Sequence, residues 1–369
     1  MSILRMPANL VMPSTVSRRS VLRGAAGMGL GLGAANALLG NALAQNHGHA
    51  ATPGASEPVP SNEGNYVGSD AGTAGTGDAT PIPGQPKPFE PYNPFLDPVE
   101  PGDKQVTVVA RDETVYIAKD MPYAGWTFDG TIPGPPIRAV VGDTINVTVR
   151  NEAAMTHSVD FHSARVNPEF GYQNVQPGDS FEWSFTAEYP GAYMVHCGTA
   201  PVYMHIAAGM YLPMIVDPAP DAEFRFEPAQ EIVFSQSEFY VKEGEDGIFV
   251  PDTEKLFAMG IMDVVAFNGY ANQYVEHPIH VKVGQLVRIY VVNMGPNIWS
   301  SFHIVGAIFS KAYLNANPKN VMEGLQGISI GPGDGACVEL TFDEPGTYIA
   351  VNHSFGHAAH GAQALIIAE

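Results

Sequence analysis

The sequence predicts an all-β protein with two tandem Greek-key β-sandwich or barrel domains. Three observations support this prediction: short runs in which apolar and polar residues alternate, turn signals between these runs, and an internal duplication. The 39 glycines and 31 prolines are spread through the 369 residues, which favours many turns and few long helices. We therefore expect β structure over most of the chain.

Residues 1–44 have the features of an export signal. Arg18 and Arg19 precede an apolar run rich in Gly and Ala, and this run ends at the small-residue cleavage site Ala42-Leu43-Ala44. Paired arginines are typical of the twin-arginine route; the alternative is a membrane anchor, although the run is weakly apolar for a spanning helix. We predict export to the periplasm or another extracytoplasmic compartment.

Composition divides the rest of the chain. Residues 45–91 are rich in Gly, Ala, Pro, Ser and Thr and poor in large apolar side chains, so we predict a flexible linker. Two domains are predicted after it, at 92–222 and 223–369, each of ordinary size. No run after the signal is long and apolar enough to span a bilayer.

The duplication is visible as four motifs that recur in the same order. The matched pairs are Phe128-Asp129-Gly130 with Phe267-Asn268-Gly269, Val141-Gly142-Asp143 with Val283-Gly284-Gln285, Gln176-Pro177-Gly178-Asp179 with Gly331-Pro332-Gly333-Asp334, and Pro190-Gly191-Ala192-Tyr193 with Pro345-Gly346-Thr347-Tyr348. The spacing between copies grows along the chain, so the copies differ by loop insertions.

Alternation of period two predicts strands at 105–110, 144–150, 180–185 and 338–342, each bounded by turn residues. Single helical turns are expected near 201–207 and 252–259.

Charge limits the possible partners. The chain has 18 basic and 38 acidic residues, and removal of residues 1–44 would leave 14 basic ones, a formal charge of −24. Such a surface repels nucleic acid and anionic lipid and favours a positively charged protein partner. Solubility alone would also explain it.

One stretch carries the donor set that copper prefers. Cys197, His205 and Met210 follow a predicted strand, and His157 lies some forty residues upstream. Two imidazoles, a thiolate and a weak thioether are typical of a blue-copper electron-transfer site. Because Cys197 is needed as a ligand, we do not expect it to form a disulfide with Cys337, which we predict to be a small buried residue.

Strand parity predicts a second donor set behind the first. Neighbouring side chains on a strand point to opposite faces, so His196 lies on the face opposite to Cys197, and His162 on the face opposite to His157. Two imidazoles are too few for an open metal site, which normally has three protein ligands. In the second copy Asn352 replaces the cysteine, and the next residue, His353, is placed to complete the site across a domain or subunit boundary.

Two further residues have catalytic character. Asp160 shares the face of His162 and could exchange a proton with a bound ligand, although a turn aspartate is the alternative. His303 has roughly the position in the second copy that His157 has in the first, and could serve as a second proton donor.

The complete pattern resembles copper-containing nitrite reductases, two-domain relatives of the multicopper oxidases. The resemblance covers 101–369 and rests on His157, His162, His196-Cys197, His205 and Met210 in the first copy and Ser301-Phe302-His303 and Asn352-His353 in the second.

The resemblance implies a homotrimer of paired cupredoxin domains with two coppers per subunit. Type 1 copper would be held by His157, Cys197, His205 and Met210, and type 2 copper by His162 and His196 of one subunit with His353 of its neighbour. Electrons from a small redox protein, a cytochrome c or a cupredoxin, would pass through Cys197-His196. Nitrite would be reduced by one electron to nitric oxide, with Asp160 and His303 flanking the substrate.

The sequence departs from the family pattern at three places. Ser163–Phe170 replaces a Gly-rich stretch, Val305 stands where the family usually has Ile, and the last loop carries His357 and His360.

Two alternatives remain. A laccase-type oxidase would need about eight imidazoles, typically as His-x-His pairs, and neither copper-bearing segment has one. A non-catalytic copper protein that only carries electrons would leave the second donor set without a purpose.

Overall fold

The computed structural model describes residues 81–369, so the predicted export signal and most of the predicted linker lie outside the described residues. Residues 81–91 of that linker contain no helix or strand. They run beside the first strand, where the N–H of Lys87 donates to the carbonyl of Thr114 (3.1 Å) and its ammonium pairs with Glu113 (2.7 Å). None of the helices in the described part of the chain has the length and apolar character needed to cross a membrane.

The described chain is mostly β structure, as predicted. The strands are β1 Lys104–Ala118, β2 Met121–Phe128, β3 Ile137–Val140, β4 Thr144–Asn151, β5 Asp160–Phe161, β6 Ser180–Thr186, β7 Gly191–His196, β8 Tyr211–Asp217, β9 Gln230–Phe239, β10 Val241–Glu243, β11 Phe249–Pro251, β12 Val264–Phe267, β13 Ile279–Val281, β14 Leu286–Gly295, β15 Ser300–Val305, β16 Phe309–Leu314, β17 Val321–Leu325, β18 Gly327–Ile330, β19 Gly335–Thr341, β20 Gly346–Asn352 and β21 Gln363–Ala368.

The helices are short. Within residues 81–369 they are α1 Pro168–Gly171, α2 Val202–Ala207, α3 Thr253–Phe257, α4 Gln273–Glu276 and α5 Phe355–Ala359, with one 3₁₀ turn at Glu245–Gly247. The helical turns predicted near 201–207 and 252–259 are confirmed as α2 and α3. α3 begins after Asp252, whose carboxylate accepts the N–H of Lys255 at 3.0 Å, the expected N-cap contact.

Strand pairing repeats between the two halves, in agreement with the duplication. In the first half β1 pairs in parallel with β4, and β3 with β8; in the second half β9 pairs in parallel with β14, and β13 with β21. The sheet orders are β10-β11-β2-β1-β4-β6 and β3-β8-β7-β5 in the first half, and β12-β9-β14-β19-β16-β17 and β13-β21-β20-β15-β18 in the second. Each half is thus a two-sheet sandwich, and the predicted all-β fold is confirmed.

Apolar side chains form a separate core in each half. The first core lies between the two sheets of the first half and includes Val147, Phe161 and Leu212, and the second includes Phe234, Ile289 and Phe302. A third cluster, with Tyr123, Tyr211 and Phe239 among its members, joins the halves. Burial of this third cluster stabilises the contact between the sandwiches.

Two strands that follow the predicted domain boundary at 222 pair with the sheet of the first half. That boundary falls between β8 and β9, but β10 and β11, which follow β9 in sequence, belong to the first sheet because β11 pairs with β2 at Phe249 and Tyr123. The second half therefore extends the sheet of the first by two strands.

Candidate metal centres

The structure brings three residues of the first predicted donor set together at the end of β7. The sulfur of Cys197 lies 3.3 Å from Nδ1 of His205 and 3.7 Å from Nδ1 of His157, and the two Nδ1 atoms are 3.1 Å apart. All three side chains are fully buried. The arrangement is a compact cluster of one sulfur and two imidazole nitrogens.

Backbone contacts bring the fourth predicted donor beside this cluster. Cys197 directly follows β7, and α2 carries His205. The N–H of Cys197 donates to the carbonyl of Met210, and the N–H of Met210 donates to the carbonyl of His205, both at 3.0 Å. Met210 is fully buried.

The electrostatics suit a metal-binding thiolate. Burial alone would raise the pKa of the Cys197 thiol, but hydrogen bonding and charge from His157, with backbone N–H groups of Ser158 and Thr199, offset it, so its pKa is lowered. Burial lowers the pKa of His205 to about 3, so this imidazole is neutral and has a lone pair to offer.

The donor set fits copper. Nε2 of His157 and Nε2 of His205 are buried without a hydrogen-bond partner among the described residues, so neither Nε2 atom ties its ring to a surrounding polar network. Their Nδ1 atoms instead face one sulfur. Two imidazoles and a thiolate beside a methionine are the ligand set typical of blue-copper centres, which transfer one electron at a time.

A second cluster lies around His196. Nε2 of His196 is 3.0 Å from Nε2 of His162 and 3.7 Å from Oδ2 of Asp160. The carbonyl of Cys197 lies 2.9 Å from Nδ1 of His196, which leaves Nε2 as the free ligating atom. His196 is buried, whereas Asp160 is about a quarter exposed and His162 is exposed, so the cluster is open on one side.

The division between the clusters follows the predicted parity. His196 and Cys197 are consecutive, yet one contributes to each cluster, and Asp160 is the direct cross-strand neighbour of His196. The extended segment is shorter than expected, because β5 contains only two residues and His157 forms an isolated bridge with Val175.

His303 and His353 lie together in the second half, with ring centroids 5.3 Å apart. His303 is on β15, where Nδ1 contacts the carbonyl of Gln326, and His353 directly follows β20 and is exposed. Within the single chain, the described residues that cluster with His162 do not include His353.

The position predicted for His303 is wrong by three residues. His303 pairs with Val351 on β20, as Asp160 pairs with His196 on β7. The two copies therefore match His303 with Asp160, not with His157. Sequence alignment could not show this because the loops before β5 and β15 differ in length, whereas hydrogen-bond register fixes the match.

Sequence reasoning missed the polar side chains that support the first cluster. The N–H of Ser158 points to the sulfur of Cys197 at 3.5 Å, and the hydroxyl of Ser158 accepts from the N–H of Gly198 at 3.1 Å. The hydroxyl of Thr199 contacts Ser158 Oγ at 3.1 Å and donates to the amide oxygen of Asn174 at 2.8 Å. The adjacency of Ser158 to His157 was the available signal.

Comparison with known proteins identifies the family. Residues 109–221 match a family model described as multicopper oxidase. The copper-containing nitrite reductase of Neisseria meningitidis serogroup A is 36% identical over 271 residues, which cover 72% of this chain and 69% of that protein. The chain belongs to the copper-containing nitrite reductase family.

Solved structures agree. A copper nitrite reductase structure from Nitrosomonas europaea is 38% identical, with a TM-score of 0.67, and the match covers 72% of this chain and 94% of that one. A copper-containing nitrite reductase from Thermus scotoductus is 32% identical with a TM-score of 0.66, over 72% of this chain and 62% of that one. A laccase from Botrytis aclada at 16% identity shares the fold only. The predicted resemblance to copper-containing nitrite reductases is confirmed.

Proposed function

We propose that the protein reduces nitrite to nitric oxide by one electron, with uptake of two protons and release of water. The observation that carries this proposal is the adjacency of the two clusters: His196 and Cys197, joined by one peptide link, belong to different donor sets. Names of relatives at 36% and 38% identity support nitrite as the substrate.

In this proposal each subunit has one type 1 and one type 2 copper. Type 1 copper is held by His157, Cys197, His205 and Met210. Type 2 copper is held by His162, His196 and, from a neighbouring subunit, His353. When bound, copper supplies the one-electron redox change at the first centre and an open position for the anion at the second.

The residues around the second centre have distinct roles. His196 is held by its contact with the Cys197 carbonyl and lies on the single covalent link between the donor sets. Asp160 is partly exposed and 3.7 Å from His196 Nε2, so it can hold a proton beside the anion. His303 is the second proton donor, and its ring is oriented by the carbonyl of Gln326.

Assembly as a homotrimer would bring the exposed His353 of one subunit to the exposed His162 of another. Export by the twin-arginine route to the periplasm fits a protein that folds before it crosses the membrane. The formal charge of −20 favours a positively charged donor, either a cytochrome c or a small cupredoxin.

One experiment tests the proposal against its alternatives. Copper-loaded protein is supplied with a reduced donor and with either nitrite or oxygen. The reductase produces nitric oxide and holds two coppers per chain, an oxidase consumes oxygen and holds four, and an electron carrier does neither and holds one. Oxygen consumption without nitric oxide would overturn the proposal.

A further inference from the structure

The first half defines its thiolate pocket by a short series of backbone contacts. The residue after β7, Cys197, donates its N–H to Met210 on the returning chain, and Met210 donates its N–H to the carbonyl of His205 on α2. His157 closes the pocket and forms a bridge with Val175.

The second half repeats this pocket with other side chains. The N–H of Asn352 donates to the carbonyl of Ala362 at 3.1 Å, and the N–H of Ala362 donates to the carbonyl of His357 on α5 at 3.2 Å. Ser300 pairs with Ile330. Serine, asparagine, histidine and alanine thus occupy the four donor positions, so a single imidazole remains.

Distances support this correspondence. Nδ2 of Asn352 lies 3.1 Å from Nδ1 of His357, as the sulfur of Cys197 lies 3.3 Å from Nδ1 of His205. An amide therefore stands where the first half has the thiolate, at a similar distance from the corresponding imidazole. Asn352 is fully buried, and a buried amide persists only where its hydrogen bonds are satisfied.

The amide oxygen of Asn352 fixes the backbone on either side of the second centre's predicted ligand. Oδ1 accepts the N–H of Ser301 and the N–H of Ser354, each at 3.2 Å. The N–H of His353 itself donates to the carbonyl of Ser301 at 2.7 Å. Asn352 and His353 are therefore bonded directly to Ser301 on β15, and Ser354 is held to the same point through the Asn352 side chain.

The amide nitrogen of Asn352 connects the end of β20 to other residues of the second half. Nδ2 lies 3.0 Å from Oε1 of Gln236 on β9 and 3.1 Å from the carbonyl of Trp299, and with His357 Nδ1 these acceptors share its two hydrogens. The two backbone N–H groups on Oδ1 fix the orientation of the amide, since a flipped amide would place donors against donors.

We propose that Asn352 is a positioning residue for the second copper centre. In the first half this pocket contains the predicted ligands of type 1 copper. In the second half it contains Asn352, whose hydrogen bonds set the position of His353 and, through β15, of His303. This inference rests on the proposed function. Outer hydrogen bonds that orient a metal ligand typically change metal affinity by about 10–100-fold.

The test measures copper binding at each centre separately. Copper is titrated into assembled wild-type protein and Asn352→Ala against a competing chelator, with the two centres distinguished by their paramagnetic resonance signals. We expect the affinity of the second centre to fall about 10–100-fold, with the visible absorption of the first centre per chain unchanged. The matched control is Cys337→Ala, which also truncates a buried residue of the second half and should leave both affinities unchanged.

Equal affinity of the second centre in Asn352→Ala and wild type would overturn the inference, as would a parallel loss at both centres. If Asn352→Ala does not fold, Asn352→Leu is measured in the same way; it keeps the approximate volume of the side chain but loses both the acceptor for Ser301 and Ser354 and the amide hydrogens, and unchanged affinity would again overturn the inference. Failure of wild-type protein to bind a second copper would instead refute the proposed function.

Discussion

Glu238 on β9 is a buried carboxyl group of the second half, and its titration provides a quantitative test of how burial affects the stability of the fold. Its side chain is 1% exposed. Oε1 accepts backbone N–H groups from Asn297 and, at 3.0 Å, Ile298, while Oε2 has no partner among the described residues. Burial raises its pKa from 4.5 to about 7, and the two N–H groups offset only part of this effect.

The sign of the stability effect follows from proton binding. Between the unfolded value of 4.5 and the folded value of about 7, the folded state binds more protons, so stability falls as pH rises through this window. At 1.36 kcal/mol per pH unit the full loss is about 3 kcal/mol, and most of it falls between pH 5 and pH 8. Glu238→Gln removes the titrating group.

The assay compares urea unfolding of copper-loaded wild type and Glu238→Gln at pH 5, 6, 7 and 8. The stability of the variant relative to wild type should rise by about 2–3 kcal/mol over this range, whatever constant offset the new amide adds. Glu243→Gln, at an exposed position on β10, is the matched control and should give a flat difference. A flat difference for Glu238→Gln as well would refute the reasoning.

Three further substitutions test the centres and the fold. Cys197→Ser should abolish the copper–thiolate absorption while copper remains at the second centre, and visible spectroscopy showing persistent colour would exclude the assigned thiolate. Asp160→Asn should lower kcat about 10²–10⁴-fold with the first centre's spectrum intact, and a steady-state decrease below about threefold would remove it as a proton donor. Arg288→Met should destabilise the fold by about 3–5 kcal/mol in urea, because it leaves the Glu339 carboxylate, 2.6 Å from Arg288 Nη2, buried without its cation; a loss under about 1 kcal/mol would contradict this.

Local signals were sufficient for much of the fold. The runs predicted as strands at 105–110, 144–150 and 180–185 lie within β1, β4 and β6, because alternation in a half-buried strand depends only on neighbouring residues. The run at 338–342 extends one residue beyond β19. The duplication could also be recognised from the sequence, because the turn motifs that the two copies share are short and local.

Long-range pairing was not accessible in this way. Nothing in Val241–Glu243 or Phe249–Pro251 indicates that these strands join the sheet of the first half, since a strand's sequence does not name its partner. The ion pairs of Arg288 with Glu231 (2.8 Å) and Glu339 also join residues more than fifty positions apart. The alignment of His303 failed for a related reason, because register depends on loop lengths and hydrogen bonds.

The sequence by itself determined which donor atoms exist and how they are divided between the two centres. The alternation of side chains along a strand assigns His196 and Cys197 to opposite faces, whichever strands pair with it. Only the tertiary structure decided what surrounds them. At Asn352, the position that matches Cys197, the packing of β15, β20 and β9 surrounds the side chain with hydrogen-bond partners instead of metal donors. Such contacts depend on distances between segments far apart in the chain, and folding alone fixes those distances.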